Sequence, residues 1–279
     1  MTLLSDMLRN GTLAQAIEAL RSDIGVRPAD ADLRASLVQL LCLRGDWRGA
    51  LAQLKAWKVL APMALPTVTL LSQAVEGELQ RQQVFNREAS PRLLSDDAPW
   101  LKLMVEALLN NNLDADESRY QALEAAPLNP GQLRRQPRPG ESEAATLDFA
   151  WLTDGDDRLG PVCETIVNGV YHWISFSAIE RIQFQPPASV TDLVWRHCLV
   201  QLRNGNEQVC QLPVRYPFAF YDALNTQSEE ALMLAQKTEW SQPDAAQDLF
   251  IGHGQRVWLD DDREFSLLEI DLLQFSEPE

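Results

Sequence analysis

The chain contains no run of about 18 uninterrupted apolar residues, the length a bilayer-crossing helix needs, so it offers no membrane span. Its start, Met1-Thr2-Leu3-Leu4-Ser5-Asp6, has neither the basic residues nor the long apolar stretch of an export signal, and Asp6 and Arg9 interrupt it early. A cytoplasmic location is the expectation. Cysteine is scarce: Cys42, Cys163, Cys198 and Cys210 form no CxxC pair and sit among apolar neighbours, which argues against a disulfide framework and for reduced core thiols. Positive charge is also short. Lys and Arg number 24 against 40 Asp and Glu, a formal net charge of -16 with a pI near 4.6, and such a balance opposes binding to nucleic acid or anionic lipid. The one basic cluster, Arg134-Arg135 with Arg138, falls in a proline-rich segment and reads as solvated linker.

What is present suffices for two ordinary cores: 279 residues with 46% apolar content. The first region carries a repeat with a period of 34. Gly11 maps onto Gly45, Leu13 onto Trp47, Ala16 onto Ala50, Leu20 onto Leu54 and Pro28 onto Pro62. This resembles the tetratricopeptide repeat, two antiparallel helices joined by a tight turn. In the better copy Gly45 can close one helix in the left-handed region, Asp46 can cap the next, and Ala50 lets the helices approach. Asp23 and Trp57 depart from the small residue usual at their position, and Gly49 weakens its helix by about 1 kcal/mol relative to alanine. A further helix is expected over about 65–87, ending at Ser90-Pro91, and a third helix pair over 96–126 with Asp96-Asp97 as caps and Asn110-Asn111-Asn112 as its turn. Arrays of this kind need neighbours to cover their flanks, so the last helices are expected to pack on the second half.

In the repeat register the positions that usually line the concavity fall on Asp32, Ala35, Gln39, Cys42 and Leu43, and in the third pair on Leu101, Val105, Leu108 and Leu109. A groove for an amphipathic helix would have this mixture. The same leucines at helical spacing equally fit a core role, whereas Asp32 and Gln39 have no evident reason to be buried.

From Pro127 to Gly140, four prolines and two glycines preclude a helix, and residues 131–140 read as a joint between a helical domain (1–130) and a second domain (141–279). Strands are expected over 147–152, 162–167, 170–176, 179–185, 198–203 and 208–214, a short helix over 228–237, and two strands over 256–275 around Asp260-Asp261-Asp262. The fold class is thus multi-domain α and β: a tetratricopeptide-like helical array followed by an α+β domain with a mainly antiparallel sheet. The change of period occurs across 149–176. There Asn168-Gly169 between two apolar runs is a hairpin signal, since a type I′ turn needs positive φ at both central residues. Val162, Glu164 and Ile166 should face opposite to Cys163, Thr165 and Val167, and both faces of the hairpin carry apolar bulk.

No catalytic residue, cofactor or metal site is expected. Asp154-Gly155-Asp156-Asp157 offers carboxylates, but the twelfth position of an EF-hand counted from Asp154 is Thr165, and an Asp/Gly turn before a strand needs no ligand; Arg158 can bond its carboxylates instead. His172, His197 and His253 lack the i, i+4 spacing of a zinc helix. His197 and Cys198 are strand neighbours pointing to opposite faces, while a pairing of His172 with Cys163 or Cys210 stays open.

Several segments in order, RQQVFNREASPRLL from Arg81, the hairpin region from Asp154, DLVWRHCLVQLRNG from Asp192, LPVRYP from Leu212 and GHGQRVWLDDDREFSLLEIDLLQF from Gly252, resemble the ImpE family, also called SciE-type or TagJ. One departure is Asp271, where the closing segment would have arginine. The resemblance extends over nearly the whole chain and implies a non-enzymatic accessory protein of a type VI secretion system. It implies binding to the small subunit of the contractile sheath, through that subunit's N-terminal helix, near the step where an AAA+ ATPase recycles contracted sheath. The helical repeats alone would equally allow a general peptide-binding co-chaperone, and the acidic turn with the histidines a metal-dependent hydrolase.

Overall fold

The computed structural model describes residues 11–94, 98–110, 113–137, 141–217, 227–243 and 249–277. Three helices open the chain: α1 (Leu13–Val26), α2 (Ala31–Arg44) and α3 (Trp47–Leu60). Thr12, Asp30 and Asp46 cap them with side-chain oxygens that accept backbone N–H bonds otherwise unpaired at a helix start. Gly45 closes α2 at φ 77°, a left-handed conformation that glycine adopts without strain. The 34-residue period appears as burial: Leu13 and Trp47, Ala16 and Ala50, Leu20 and Leu54 all lie in the core, with α2 packed on both α1 and α3. After a 3₁₀ turn at Pro62–Ala64 come the long α4 (Leu65–Phe85), the short β1 (Arg92–Leu93), and a packed pair, α5 (Pro99–Leu109) and α6 (Leu113–Ala125). The expected caps Asp96-Asp97 and the turn residues Asn111-Asn112 lie outside the described residues.

The second half is mainly antiparallel sheet. In chain order it holds β2 (Gly131–Arg135), β3 (Ala145–Phe149), β4 (Thr153–Asp154), β5 (Val162–Val167), β6 (Val170–Ser175), β7 (Ile179–Phe184), β8 (Trp195–Leu202) and β9 (Glu207–Pro213). Then follow α7 (Gln227–Met233), β10 (Thr238–Ser241), β11 (Ile251–Gly254), β12 (Val257–Leu259), β13 (Glu264–Ser266) and β14 (Ile270–Phe275). Nine strands form one sheet in the order β1-β6-β5-β9-β8-β7-β14-β2-β3, and β13-β12-β4 and β10-β11 form two small ones. Among these pairs only β1 with β6 is parallel.

The β5–β6 hairpin closes through Asn168 (φ 50°) and Gly169 (φ 82°), with Val167 opposite Val170 as the turn chemistry requires. The second hairpin, β8–β9, turns at Asn204-Gly205. Three expectations need correction. Residues 131–135 of the proline-rich joint are strand β2, because Gly131-Gln-Leu-Arg-Arg alternates buried and exposed positions between the flanking prolines. The closing segment makes three strands, since a second turn at Ser266–Glu269 follows the Asp260–Arg263 turn. The short helix stops at Met233, and Ala235 turns the chain into the left-handed region at φ 53°.

Two cores flank the hairpin. The first joins the helices to one face of the sheet: Leu37, Leu41, Ala74, Trp100 and Met104 belong to the same cluster as Val162, Ile166, Tyr171 and Trp173. On the opposite face Cys163, Val167, Ile174 and Phe176 join Leu212, Leu273 and Trp258, with Phe176 edge-on to Trp258 at 5.1 Å between centroids. The hairpin is therefore covered on both sides, and Val170–Phe176 offers no apolar face to a partner. Helix α4 lies on β5 and β6 at a distance only glycine permits, since a Cβ on Gly77 would stand 2.4 Å from Ile166 Cγ2. The α5–α6 pair packs against the sheet half as expected: Met104 and Leu123 both reach the backbone at Gly160.

Candidate functional site

Apolar burial brings the array and the sheet together, but their junction also holds charge. Arg81 on α4 is 2% exposed and pairs with Glu164 on β5, Nε to Oε1 at 2.8 Å and Nη2 to Oε2 at 3.0 Å, the parallel two-point geometry that suits guanidinium and carboxylate. The same guanidinium lies 3.4 Å from Glu78 and donates to the Arg215 carbonyl at 2.9 Å. Glu78 in turn accepts the Trp195 indole N–H at 3.0 Å. Glu164 also receives the Tyr171 hydroxyl and Nη2 of Arg256, whose Nε stands 3.3 Å from Asp154 Oδ2. Arg215 completes the junction from the sheet side. It donates to the carbonyls of Leu43 at 2.5 Å and Cys42 at 3.1 Å, the last turn of α2, where a helix leaves carbonyls unpaired and favours a cation.

Arg81 and Arg256 thus meet three carboxylates, Glu78, Glu164 and Asp154, out of reach of water, with Arg215 buried beside them on the helix carbonyls. Burial lowers Arg215 and Arg256 to about 10 each, so both stay charged at neutral pH. Burial pushes the Asp154 carboxyl up to about 6, with Arg256 pulling it back. Removing one member of such a set leaves a partner charged and buried, which costs about 3–5 kcal/mol.

The acidic turn belongs to this junction. Asp154 Oδ1 accepts the Asp156 N–H at 2.9 Å, and Asp156 accepts from Arg158 N, Nε and Nη2 and from Gly252 N at 3.1 Å. Burial works to raise the Asp156 carboxyl, but the Arg158 charge and hydrogen bonds, with the backbone donors, hold it below the usual carboxylate range. Asp157 accepts the Phe250 N–H at 2.6 Å. Arg158 also lies over the Phe85 ring at the end of α4, 4.7 Å from its centroid. These carboxylates bond the protein itself.

Of the positions the repeat register assigned to a partner, Cys42, Leu43, Leu101 and Leu108 are in the core, while Asp32 is exposed and Ala35, Gln39, Val105 and Leu109 are half-buried. The α2 surface packs on the 3₁₀ turn Val190–Leu193, α4 packs on the hairpin, and Glu230 of α7 accepts the Leu13 N–H at 2.6 Å. The chain's own second half therefore fills much of the face that a repeat array ordinarily offers. The histidines are separate: His172 Nδ1 is 2.9 Å from the Val170 carbonyl, and His253 Nε2 is 2.6 Å from Ser241 Oγ. Burial lowers all three histidines and raises the thiols of Cys42, Cys163 and Cys198, the reverse of what a nucleophilic pair needs. His172 stands opposite Thr165 and Cys163 opposite Ile174, two positions along the same face, and each bonds a backbone carbonyl, His172 that of Val170 and Cys163 that of Glu164 at 3.9 Å. Arg135 of the basic cluster is bound bidentately by Glu141 at 2.6 and 2.7 Å; Arg138 lies outside the described residues.

Sequence reasoning assigned no role to Arg81, Arg196, Arg215 or Arg256. The signal was a lone arginine inside an apolar strand or helix: each of the motif segments RQQVF, LVWRHCL, LPVRYP and GQRVWL contributes one. Arg196 is fully buried and donates to the carbonyls of Leu267, Leu268 and Gln185 at 2.8–3.0 Å, clamping the turn before β14.

Comparison with known proteins agrees with these segments. A family model described as ImpE protein matches residues 147–274. The type VI secretion system accessory component TagJ of Pseudomonas aeruginosa strain PAO1 is 35% identical over 277 residues, covering 97% of this chain and 90% of that protein. A crystal structure of a Vibrio parahaemolyticus protein superposes with a TM-score of 0.82 at 25% identity, covering 98% of this chain and 97% of the other. Helical array, sheet and the segments that carry the buried arginines all lie within the aligned length, and the chain belongs to the ImpE family.

Proposed function

We propose that this protein is a non-enzymatic accessory component of a type VI secretion system, an adaptor that binds the small contractile-sheath subunit through that subunit's N-terminal helix and modulates sheath assembly or its ATPase-driven recycling. The observation that carries this reading is the 35% identity to the TagJ accessory component along 97% of the chain. Two further features support it. The carboxylates of the acidic turn are engaged by Arg158, Arg256 and backbone N–H groups, which fits a structural rather than catalytic use. The register-assigned face is partly occupied from within, four of its nine positions being buried, which favours a dedicated adaptor over a general peptide-binding co-chaperone with an open groove. The accessible remainder, Asp32, Ala35, Gln39, Val105 and Leu109, is the surface to test first.

Co-purification with the small sheath subunit is expected, and deletion of that subunit's N-terminal helix is expected to abolish it. Failure of the intact subunit to co-purify would overturn the reading. Asp32→Lys with Gln39→Glu is expected to weaken capture without altering the circular dichroism, because Asp32 is exposed and Gln39 half-buried. Undiminished capture by the folded double variant would move the interface off α2.

A further inference from the structure

A hollow of about 340 Å³ opens between the end of α6 and the acidic turn. Leu123, Leu128, Trp151, Pro161 and Leu259 are among the side chains that line it. Leu128 is 74% exposed and Leu123 37%, so large apolar side chains line a cavity open to solvent, the arrangement that receives an anchoring side chain. The charge around it has one sign. Among the lining residues are Asp154 and Asp157 and no Lys, Arg or His. Asp261, itself exposed, holds the Trp151 indole N–H at 2.8 Å, and Glu124 is exposed on the α6 turn that carries Leu123. Nearby cations are already engaged, Arg158 by Asp156 and Arg263 by Asp260.

The wider distribution of charge has the same sense. Buried side chains among the described residues balance, six acidic against six arginines, so the acidic excess of those residues lies at the surface. Residues 1–60 hold eight Lys and Arg against six Asp and Glu, whereas residues 61–279, which build the hollow, hold sixteen against thirty-four. A field of this kind attracts a cationic partner and repels an acidic one, a second copy of this half included.

We propose that this hollow is a docking site for a protein segment that presents a leucine or phenylalanine flanked by lysines or arginines. The apolar side chain packs between Leu123, Leu128, Trp151 and Leu259, and the flanking cations face Glu124, Asp157 and Asp261. The site is separate from the α2 surface proposed for the sheath subunit, and none of the residues tested there lines it.

The test titrates the full chain with a short helical peptide bearing leucines at i and i+4 among lysines, read by fluorescence anisotropy, beside the same peptide with glutamates for lysines. Binding of the lysine peptide alone is expected, weakening by at least about tenfold with Leu128→Asp and several-fold with Glu124→Lys or added salt. Both substituted side chains are exposed, so the fold is retained. Equal binding of the glutamate peptide, or affinity unchanged in both variants, overturns the proposal. So does self-association of the wild-type chain that Leu128→Asp abolishes, because it would put a second copy in the hollow.

Discussion

The turns Asp154–Arg158 and Asp260–Arg263 adjoin neighbouring strands, β4 and β12, and use the same local chemistry. In each, an aspartate accepts backbone N–H groups two or three residues on, Asp156 from Arg158 and Asp260 from Asp262 and Arg263, and pairs with the arginine that follows. In sequence both are acidic stretches before a strand. They differ in what lies beyond the turn. Asp156 also holds Gly252, Asp154 meets Arg256 and through it Glu164 and Arg81, and Arg158 lies on Phe85 of α4. Beyond the second turn, among the described residues, Arg263 reaches the Asp148 carbonyl and the Phe265 ring, with its side chain 38% exposed, and Asp261 accepts the exposed Trp151 indole N–H. Identical turn chemistry joins two halves of the molecule in one case and closes a hairpin in the other. The weight of an acidic turn is set by the burial of its partners.

The largest effect should come from the carboxylate at the centre of the first network. Glu164→Ala strands Arg81 and Arg256 in the interior and is expected to cost about 3–5 kcal/mol, read as a lowered denaturant midpoint. A shift no larger than that of a surface substitution would show that water reaches the junction and would remove the basis for the contrast. Next comes Asp156→Ala, which takes a charged acceptor from Arg158 and Gly252 and should cost about 1.5–3 kcal/mol. Hydrogen exchange should rise first at Gly252 in β11, and protection unchanged there would sever the turn from that strand.

How far this contrast could be read from sequence depends on the residue type. Helices α1 to α4, the α5–α6 pair and both hairpins were legible because burial imposes a 3.6 or 2.0 period and Asn-Gly imposes a turn. The face assignments in β5 held to the residue, with Val162 and Ile166 against the helices and Cys163 and Val167 against the second core. Strand β2 was hidden because its five residues lie in a run of only six between Pro130 and Pro137. The buried junction was hidden for another reason. Arg81, Arg215 and Arg256 find their partners 83, 172 and 92 positions away in the chain, at Glu164, Leu43 and Glu164, and no local pattern encodes such a pairing. Cys42 and Leu43 were read as groove residues because the register places the helix face but not what covers it.

The pH dependence separates the two aspartates within the first turn. Asp154 has a folded-state pKa raised to about 6 by burial, so its contribution is fully present below the unfolded value near 4 and is lost as pH rises toward 6. Asp156, held below the usual range, contributes above the unfolded value and loses that contribution as pH falls through its lower folded pKa. Relative to Asp154→Asn, the wild type is expected to gain on the order of 2 kcal/mol between pH 7 and pH 4. Relative to Asp156→Asn, it should lose its advantage on further acidification below pH 4. Parallel profiles for the two variants would mean that the aspartates titrate as one group, and the division of labour within the turn would be wrong.

Asp260→Ala should have the smallest effect. Asp260 is itself shielded, at 8% exposure, yet everything it bonds can turn to water: Asp262 is exposed and the Arg263 side chain is partly so. Loss of the carboxylate therefore strands no buried cation and leaves no buried N–H without an acceptor, and the cost should be that of a largely solvated pair, under about 1 kcal/mol. The local consequence is more specific. Arg263 donates from Nη2 both to Asp260 and to the Asp148 carbonyl on edge strand β3, so freeing it should loosen β3 while the β12–Asp154 pairing holds. The measurement is hydrogen exchange at Thr146 and Asp148 beside a global denaturation curve. If Asp260→Ala costs as much as Asp156→Ala, then the number of bonds inside a turn, rather than the burial of what they reach, sets its weight, and the two turns are equivalent after all.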